Sequence, residues 1–170
     1  GCVPAASWTG LPQLSGPDNF HVTCSNVINN KSGVMFWGFD PRPTPAPFLG
    51  GLNCIFAPTL RTPVQFSGGN PPPDDCWGTF DFHFTHAYMA SAGLVAGTSA
   101  FCQHWYRDAA HPDGTGAGLS DAVAFDVSHL GTVRVSGPEA RTRLQAAFTN
   151  DLAKIGPGRA QYTHLLDDSD

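Results

Sequence analysis

The sequence predicts an all-β protein: an antiparallel β-sandwich of jelly-roll or immunoglobulin-like type, followed by a C-terminal helix and an extended tail. Three observations point there. Nineteen glycines and fifteen prolines punctuate the 170 residues, which suits short strands and turns better than long helices. Between these breaks apolar residues recur at every second position, the period of a strand with one buried face. Charged side chains make up only 14% of the chain, against about a quarter in ordinary soluble domains.

The elements follow in order. In DNFHVTCSNV (18–27), Phe20, Val22 and Cys24 alternate with His21, Thr23 and Ser25, which predicts a half-buried strand. NNKSG (29–33) reads as a turn and GVMFWGF (33–39) as a second strand, so the two runs predict a hairpin. DPRPTPAPF (40–48) carries four prolines at alternating positions. Proline cannot donate to a ladder, so this run predicts an extended connector or an edge segment. NCIFA (53–57) and TPVQFSG (62–68) are short strand candidates, and GGNPPPDD is a rigid loop. WGTFDFHFTHAYMA (77–90) sets Phe80, Phe82 and Phe84 against Asp81, His83 and Thr85, one aromatic face buried and one polar face presented. TSAFCQHWYRD (98–108) and DAVAFDV (121–127) close a sandwich of seven or eight strands.

Beyond residue 130 the character changes, with TVRV (132–135) as one further strand candidate. Ser136, Pro138 and Glu139 supply an N-cap, an early proline and the glutamate of a capping box. Arg141 to Ile155 then predicts a helix with Leu144, Phe148, Leu152 and Ile155 on one stripe, stopped by Gly156. So short a helix is marginal alone, and its stripe must dock on something. Two domains are expected: a disulfide-stabilised sandwich over 1–135, and a helix with polar tail over 136–170 that docks on its own or a neighbouring subunit.

Net charge is −5, with nine Lys and Arg spread along the chain. No basic cluster exists to neutralise phosphates, so nucleic acid is not an expected partner. No apolar run reaches the length of a membrane span. The chain begins Gly-Cys without an initiator Met, which reads as a mature or excised piece. Cys2, Cys24, Cys54, Cys76 and Cys102 lack the paired spacing of a zinc site. Scattered cysteines in a Gly/Pro-rich acidic chain point to disulfides in an oxidising compartment. Cys54 and Cys76 bracket the loop 57–75 and are the expected pair.

The ordered motifs Gly1-Cys2, Ser25 to Gly33, Pro47 to Cys54, Arg61 to Pro63, Gly68 to Phe80, Gln103 to Asp108 and Leu119 to Phe125 form a pattern. Residues 1 to about 128 thereby resemble a C-terminal β-sandwich module repeated in secreted, uncharacterised proteins of planctomycetes and related bacteria. Ala109 replaces that pattern's proline after Arg-Asp, Cys24 is an addition, and a closing Cys after the last strand is missing. The resemblance implies a secreted sandwich and transfers no catalytic residue.

The corner residues Gln103, Trp105, Arg107, Asp108, Ser120 and Asp121 are expected to be structural. Trp105 fills the core, Arg107 pairs with Asp108 or Asp121, and Ser120-Asp121 caps a returning turn. Asp108, Asp113 and Asp121 flank a Gly-rich loop and are the candidate ligands of a structural calcium, and no other cofactor is expected. Asp81, His83 and His86, with His21, His104 and His111 elsewhere, are too few in any one place for zinc or copper and read as a solvated face. Asn30 begins an N-glycosylation triplet. Trp8, Trp77 and Tyr88, with Trp105, are candidate sugar platforms.

No G-x-S-x-G elbow occurs, and Glu139 is the one obvious glutamate. The expected function is therefore non-enzymatic: an extracellular or cell-surface structural module that assembles as a homo-oligomer or filament into a bacterial surface fibre or matrix. Leu144, Phe148, Leu152 and Ile155 would mediate assembly. The alternative is a carbohydrate-binding module of a secreted protein with a polysaccharide partner.

Overall fold

Three antiparallel sheets, rather than two, take up the alternating residues. The computed structural model describes residues 1–127 together with Glu139, Thr142, Leu144 and Gln145. The chain divides into two compact units, Gly1–Gly131 and Thr132–Asp170, and every described strand lies in the first. Its first sheet runs β1 (Ala5–Thr9), β2 (His21–Val27), β8 (Gly78–His83). The second runs β10 (Ala117–Asp126), β9 (Ser99–Arg107), β3 (Ser32–Gly38), β6 (Leu60–Arg61), with β7 (Gln65–Phe66) also on β3. The third is the hairpin of β4 (Pro41–Phe48) and β5 (Gly51–Ile55). All pairings are antiparallel, and the all-β class expected from the sequence is the class observed.

The two faces of β9 organise these layers, because successive strand residues point to opposite sides. Ala100, Cys102, His104 and Tyr106 face the first sheet. Ala100 and Cys102 join Phe20, Val22, Trp37, Phe84 and Phe125 in the main core, while Tyr106 packs with Cys24, Val27 and Phe80. Phe84 is the hub of the rings: Phe82, Phe125 and Tyr88 meet it edge-on at 5.0, 5.1 and 5.6 Å, the arrangement that ring quadrupoles favour. On the opposite face, Phe101 and Trp105 pack with Phe36, Ile55 and Leu119 beneath the β4–β5 hairpin.

Two expectations about the strands are corrected. β2 and β3 do not form a hairpin: they lie in different sheets, and 28–31 carries the chain across. Asn29 is fully buried there, with Nδ2 donating to the Asn70 and Pro73 carbonyls and Oδ1 accepting from the Asp75 N–H. A Cβ at Gly33 would stand 2.5 Å from the Phe80 ring, so β3 starts against the first sheet rather than beside β2. The run 77–90 is not one strand. It leaves the ladder after His83, and Thr85 accepts from the Tyr88 N–H at 3.0 Å to start the short helix α1 (His86–Ser91).

The proline run is an edge strand: among the described residues β4 pairs only with β5, and its register shifts between Pro41 and Ala46. Thr142, Leu144 and Gln145 have helical backbone and Leu144 is half-buried. Phe148, Leu152 and Ile155 lie outside the described residues. The expected Cys54–Cys76 bond is absent. Cys76 is bonded to Cys2, with Cα atoms 5.5 Å apart, while Cys24, Cys54 and Cys102 are free. The Asn29 bonds explain this: they anchor the loop through Asn70, Pro73 and Asp75 beside the start of the chain, whereas Cys54 belongs to the outer hairpin.

Candidate functional site

Between the β4–β5 hairpin and the outer face of the second sheet lies a cavity of about 400 Å³. Its floor is two cross-strand pairs, Val34 opposite Trp105 and Phe36 opposite Arg61. Residues directly opposite in a ladder share a face, so the register places three apolar side chains and one guanidinium side by side. Phe48, Leu49 and Asn53 of the hairpin form the wall, and Thr59 stands before β6.

Gln103 fixes the hairpin over this floor. It is buried, donates through Nε2 to the Leu52 and Ser120 carbonyls at 2.8 and 2.6 Å, and accepts from the Cys54 N–H at 3.2 Å. One side-chain amide thus replaces ladder bonds between β5 and β9. The turn Leu49-Gly50 joins β4 to β5, with Phe48 paired to Gly51. A Cβ on Gly50 would stand 1.9 Å from the Ala117 carbonyl oxygen, so glycine is required at that second position. The left-handed first position then falls to Leu49, at φ 47°, where a side chain is disfavoured. Gly50→Ala is expected to cost about 1–3 kcal/mol in urea unfolding, because the hairpin must lift off β10.

The Arg-Asp corner is built differently from expectation. Ser120 and Asp121 are not a turn; they sit within β10 at a bulge, between the pairs Leu119–Trp105 and Ala122–Gln103. The bulge frees backbone groups, and Ser120 Oγ accepts from the His104 N–H at 3.0 Å. Asp121 accepts from the Ala6 N–H at 2.7 Å, joining β10 to β1. Arg107 pairs with neither aspartate; its guanidinium lies 5.6 Å from the Trp105 ring centre. Trp105 is half-buried on the cavity floor rather than in the core, and its Nε1 has no hydrogen-bond partner among the described residues. Asp108 is buried and accepts from the Ala110 N–H.

Asp113 accepts from His111 Nδ1 and from the Thr115 hydroxyl, both at 2.7 Å. Those threonine bonds hold its carboxyl below the usual range. Asp108, Asp113 and Asp121 therefore serve separate local bonds, and no group of three His, Cys, Asp or Glu among the described residues is arranged to hold a metal ion. On the polar face of the first sheet His21 and His83 stack at 4.2 Å, with Asp81 on His21 and Asp18 on His83. His104 is completely enclosed, stacked on Phe80 at 5.9 Å with neither ring nitrogen bonded, and burial pushes its pKa down to about 4. Burial pushes the Cys24 and Cys102 thiols up to about 12, so neither supplies a thiolate.

Trp8 and Trp77 are exposed, but Tyr88 packs in the aromatic cluster and its hydroxyl accepts from Trp37 Nε1 at 2.9 Å. The three do not form one platform. Asn30 is exposed, with Nδ2 donating to the Asn70 carbonyl at 2.6 Å. Among the described residues no helix is long and apolar enough to cross a membrane.

Residues 86–170, half of the chain, match the family described as the GCVT N-terminal domain. The match begins at α1 and includes β9 and β10. An aminomethyltransferase of Parafrankia sp. is 53% identical over 45 residues, 26% of this chain and 12% of that protein. A probable aminomethyltransferase of Halobacterium salinarum is 50% identical over 47 residues, 28% of this chain and 13% of that protein. An aminomethyltransferase of Mycobacterium tuberculosis is 62% identical over 39 residues, 23% of this chain and 11% of that protein. The chain thus spans about an eighth of the length of the curated relatives it matches. No solved structure matches.

These findings overturn the functional expectations. The resemblance to a planctomycete-type secreted module gives way to a match that includes the helix and tail which that resemblance left out. The relatives are named as group-transfer enzymes, so the expectation of no enzymatic function falls. The structural fibre or matrix and its carbohydrate-binding alternative fall with it. So do the homo-oligomer, filament and polysaccharide partners, and the extracellular or cell-surface location.

Sequence reasoning found Trp105 but missed Val34, Phe36, Phe48, Leu49, Asn53, Thr59 and Arg61. Their meeting depends on the β3–β6 register and on the hairpin folding over the sheet, neither of which leaves a local signal. The residues after 130 carry one local signal, a change of character, and an amphipathic stripe does not by itself disclose a family relationship.

Proposed function

The chain belongs to the GCVT N-terminal domain family, and from that premise we propose that it serves aminomethyl transfer, as part of an enzyme that moves this one-carbon amine between a donor and an acceptor. The observation that carries the proposal is the family match over 86–170, supported by relatives of 50–62% identity that bear the name aminomethyltransferase. Within the described part of the match, the β9–β10 hairpin acts as scaffold. Its thiol at Cys102 and imidazole at His104 are enclosed, and Asp108 and Asp121 are tied to backbone N–H groups.

A chimera tests this reading. The 45 matched residues of the Parafrankia enzyme are replaced by their counterparts from this chain, and aminomethyl transfer is assayed. Activity within about tenfold of the parent is expected, a barrier change under about 1.4 kcal/mol. A folded chimera with no transfer contradicts the proposal.

A further inference from the structure

We propose that the cavity under the β4–β5 hairpin binds a small molecule made of a flat aromatic ring bearing one carboxylate. This goes beyond aminomethyl transfer. Of the described lining residues Trp105 alone falls within the matched segment 86–170, so the site stands or fails independently of that reading.

Size, lining and charge each narrow the ligand. About 400 Å³ lies within the range of small-molecule sites. Phe36, Trp105, Phe48 and Leu49 supply broad apolar surface, which suits a flat ring through edge and face contacts. Asn53 and Thr59 are the only uncharged polar groups among the described lining residues, too few for the many hydroxyls of a sugar, which would lose hydrogen bonds on entry. Among the described lining residues the single charged group is Arg61. It is exposed and takes part in none of the described ion pairs or side-chain hydrogen bonds. A chain of net charge −5 that keeps a guanidinium unpaired among the described residues beside an apolar cavity, with no carboxylate among the described lining residues, is complementary to one anionic group. One planar fork matches one carboxylate, whereas a phosphate dianion calls for more donors.

Leu49 adds a second, independent mark. It holds a left-handed backbone at φ 47° while 44% exposed at the cavity wall. Glycine at that position would relieve the backbone. The retained side chain makes sense as a wall for a bound ring.

The test uses the purified 170-residue chain with 2-naphthoate and its neutral isostere 2-naphthamide, and dissociation constants from ligand-detected NMR. The carboxylate is expected to bind at least about fivefold tighter than the amide, the effect of one charge-assisted bond. Arg61→Gln is expected to erase that preference while amide binding stays as it was. Leu49→Gly is expected to weaken both probes with the melting temperature unchanged or raised, which separates loss of the wall from loss of the fold. No binding of either probe, equal binding of both to the parent chain, or a preference that survives Arg61→Gln overturns the proposal.

Discussion

Removing the Cys2–Cys76 bond, through Cys2→Ser combined with Cys76→Ser, is expected to lower unfolding stability by about 4 kcal/mol. The bond joins residues 74 apart in sequence, and the entropy withheld from the unfolded chain grows with the length of the closed loop. A loss of that size corresponds to roughly 10 °C in melting temperature. Native contacts around the bond persist without it. Asn29 still holds the 69–77 loop through Asn70, Pro73 and Asp75, and Ala6 still donates to Asp121. The loss should therefore appear in urea unfolding midpoints with little change in the native circular dichroism. A loss under about 1 kcal/mol would mean that the N-terminal strand detaches on its own before the sandwich unfolds, so that the bond ties down a segment the cooperative unit does not need.

The second large effect is acid sensitivity from His104. Burial lowers its pKa from 6.5 to about 4 in the folded state. The unfolded chain takes up a proton first as the pH falls. The stability associated with a neutral His104 is thus whole above pH 6.5, drains away between 6.5 and 4, and falls no further below that. The full shift corresponds to about 3 kcal/mol. His104→Phe keeps a ring against Phe80 and removes the titration. Between pH 7 and pH 4.5 the parent should lose roughly 2–3 kcal/mol more than the variant in urea unfolding. Equal losses would show that His104 reaches water or a partner in solution.

How far the sequence disclosed these features depends on their range. The alternation of Phe20, Val22 and Cys24, and of Phe80 and Phe82, is local and disclosed both the strand and the side that packs inward, although the second strand ends at His83, before Phe84. The alternating prolines at 41, 43, 45 and 47 left an extended connector or an edge segment, because a missing N–H leaves few other positions, and the pairing of β4 with β5 selects the edge. Where two readings shared one local pattern, tertiary contact decided. NNKSG suits a hairpin turn as well as a crossing between sheets, and the burial of Asn29 with the tight approach at Gly33 selects the crossing. His86 to Ala90 continues an alternating run, yet Thr85 turns it into helix by capping. The disulfide and the cavity were least legible. Cys2 meets Cys76 because a polar loop is anchored by a distant asparagine, and Arg61 meets Phe36 through a two-residue strand whose register no local signal reveals. For function, the family relationship rests on residues 86–170, and neither strand alternation nor cysteine spacing in that segment signals it.

The most direct measurement is aminomethyl transfer by the purified full-length product that carries this sequence, with a donor present and an acceptor supplied or withheld. Loss of the aminomethyl group from the donor only when the acceptor is present is the predicted result. A donor left intact in both conditions, by protein whose circular dichroism shows the β-rich fold, would contradict it.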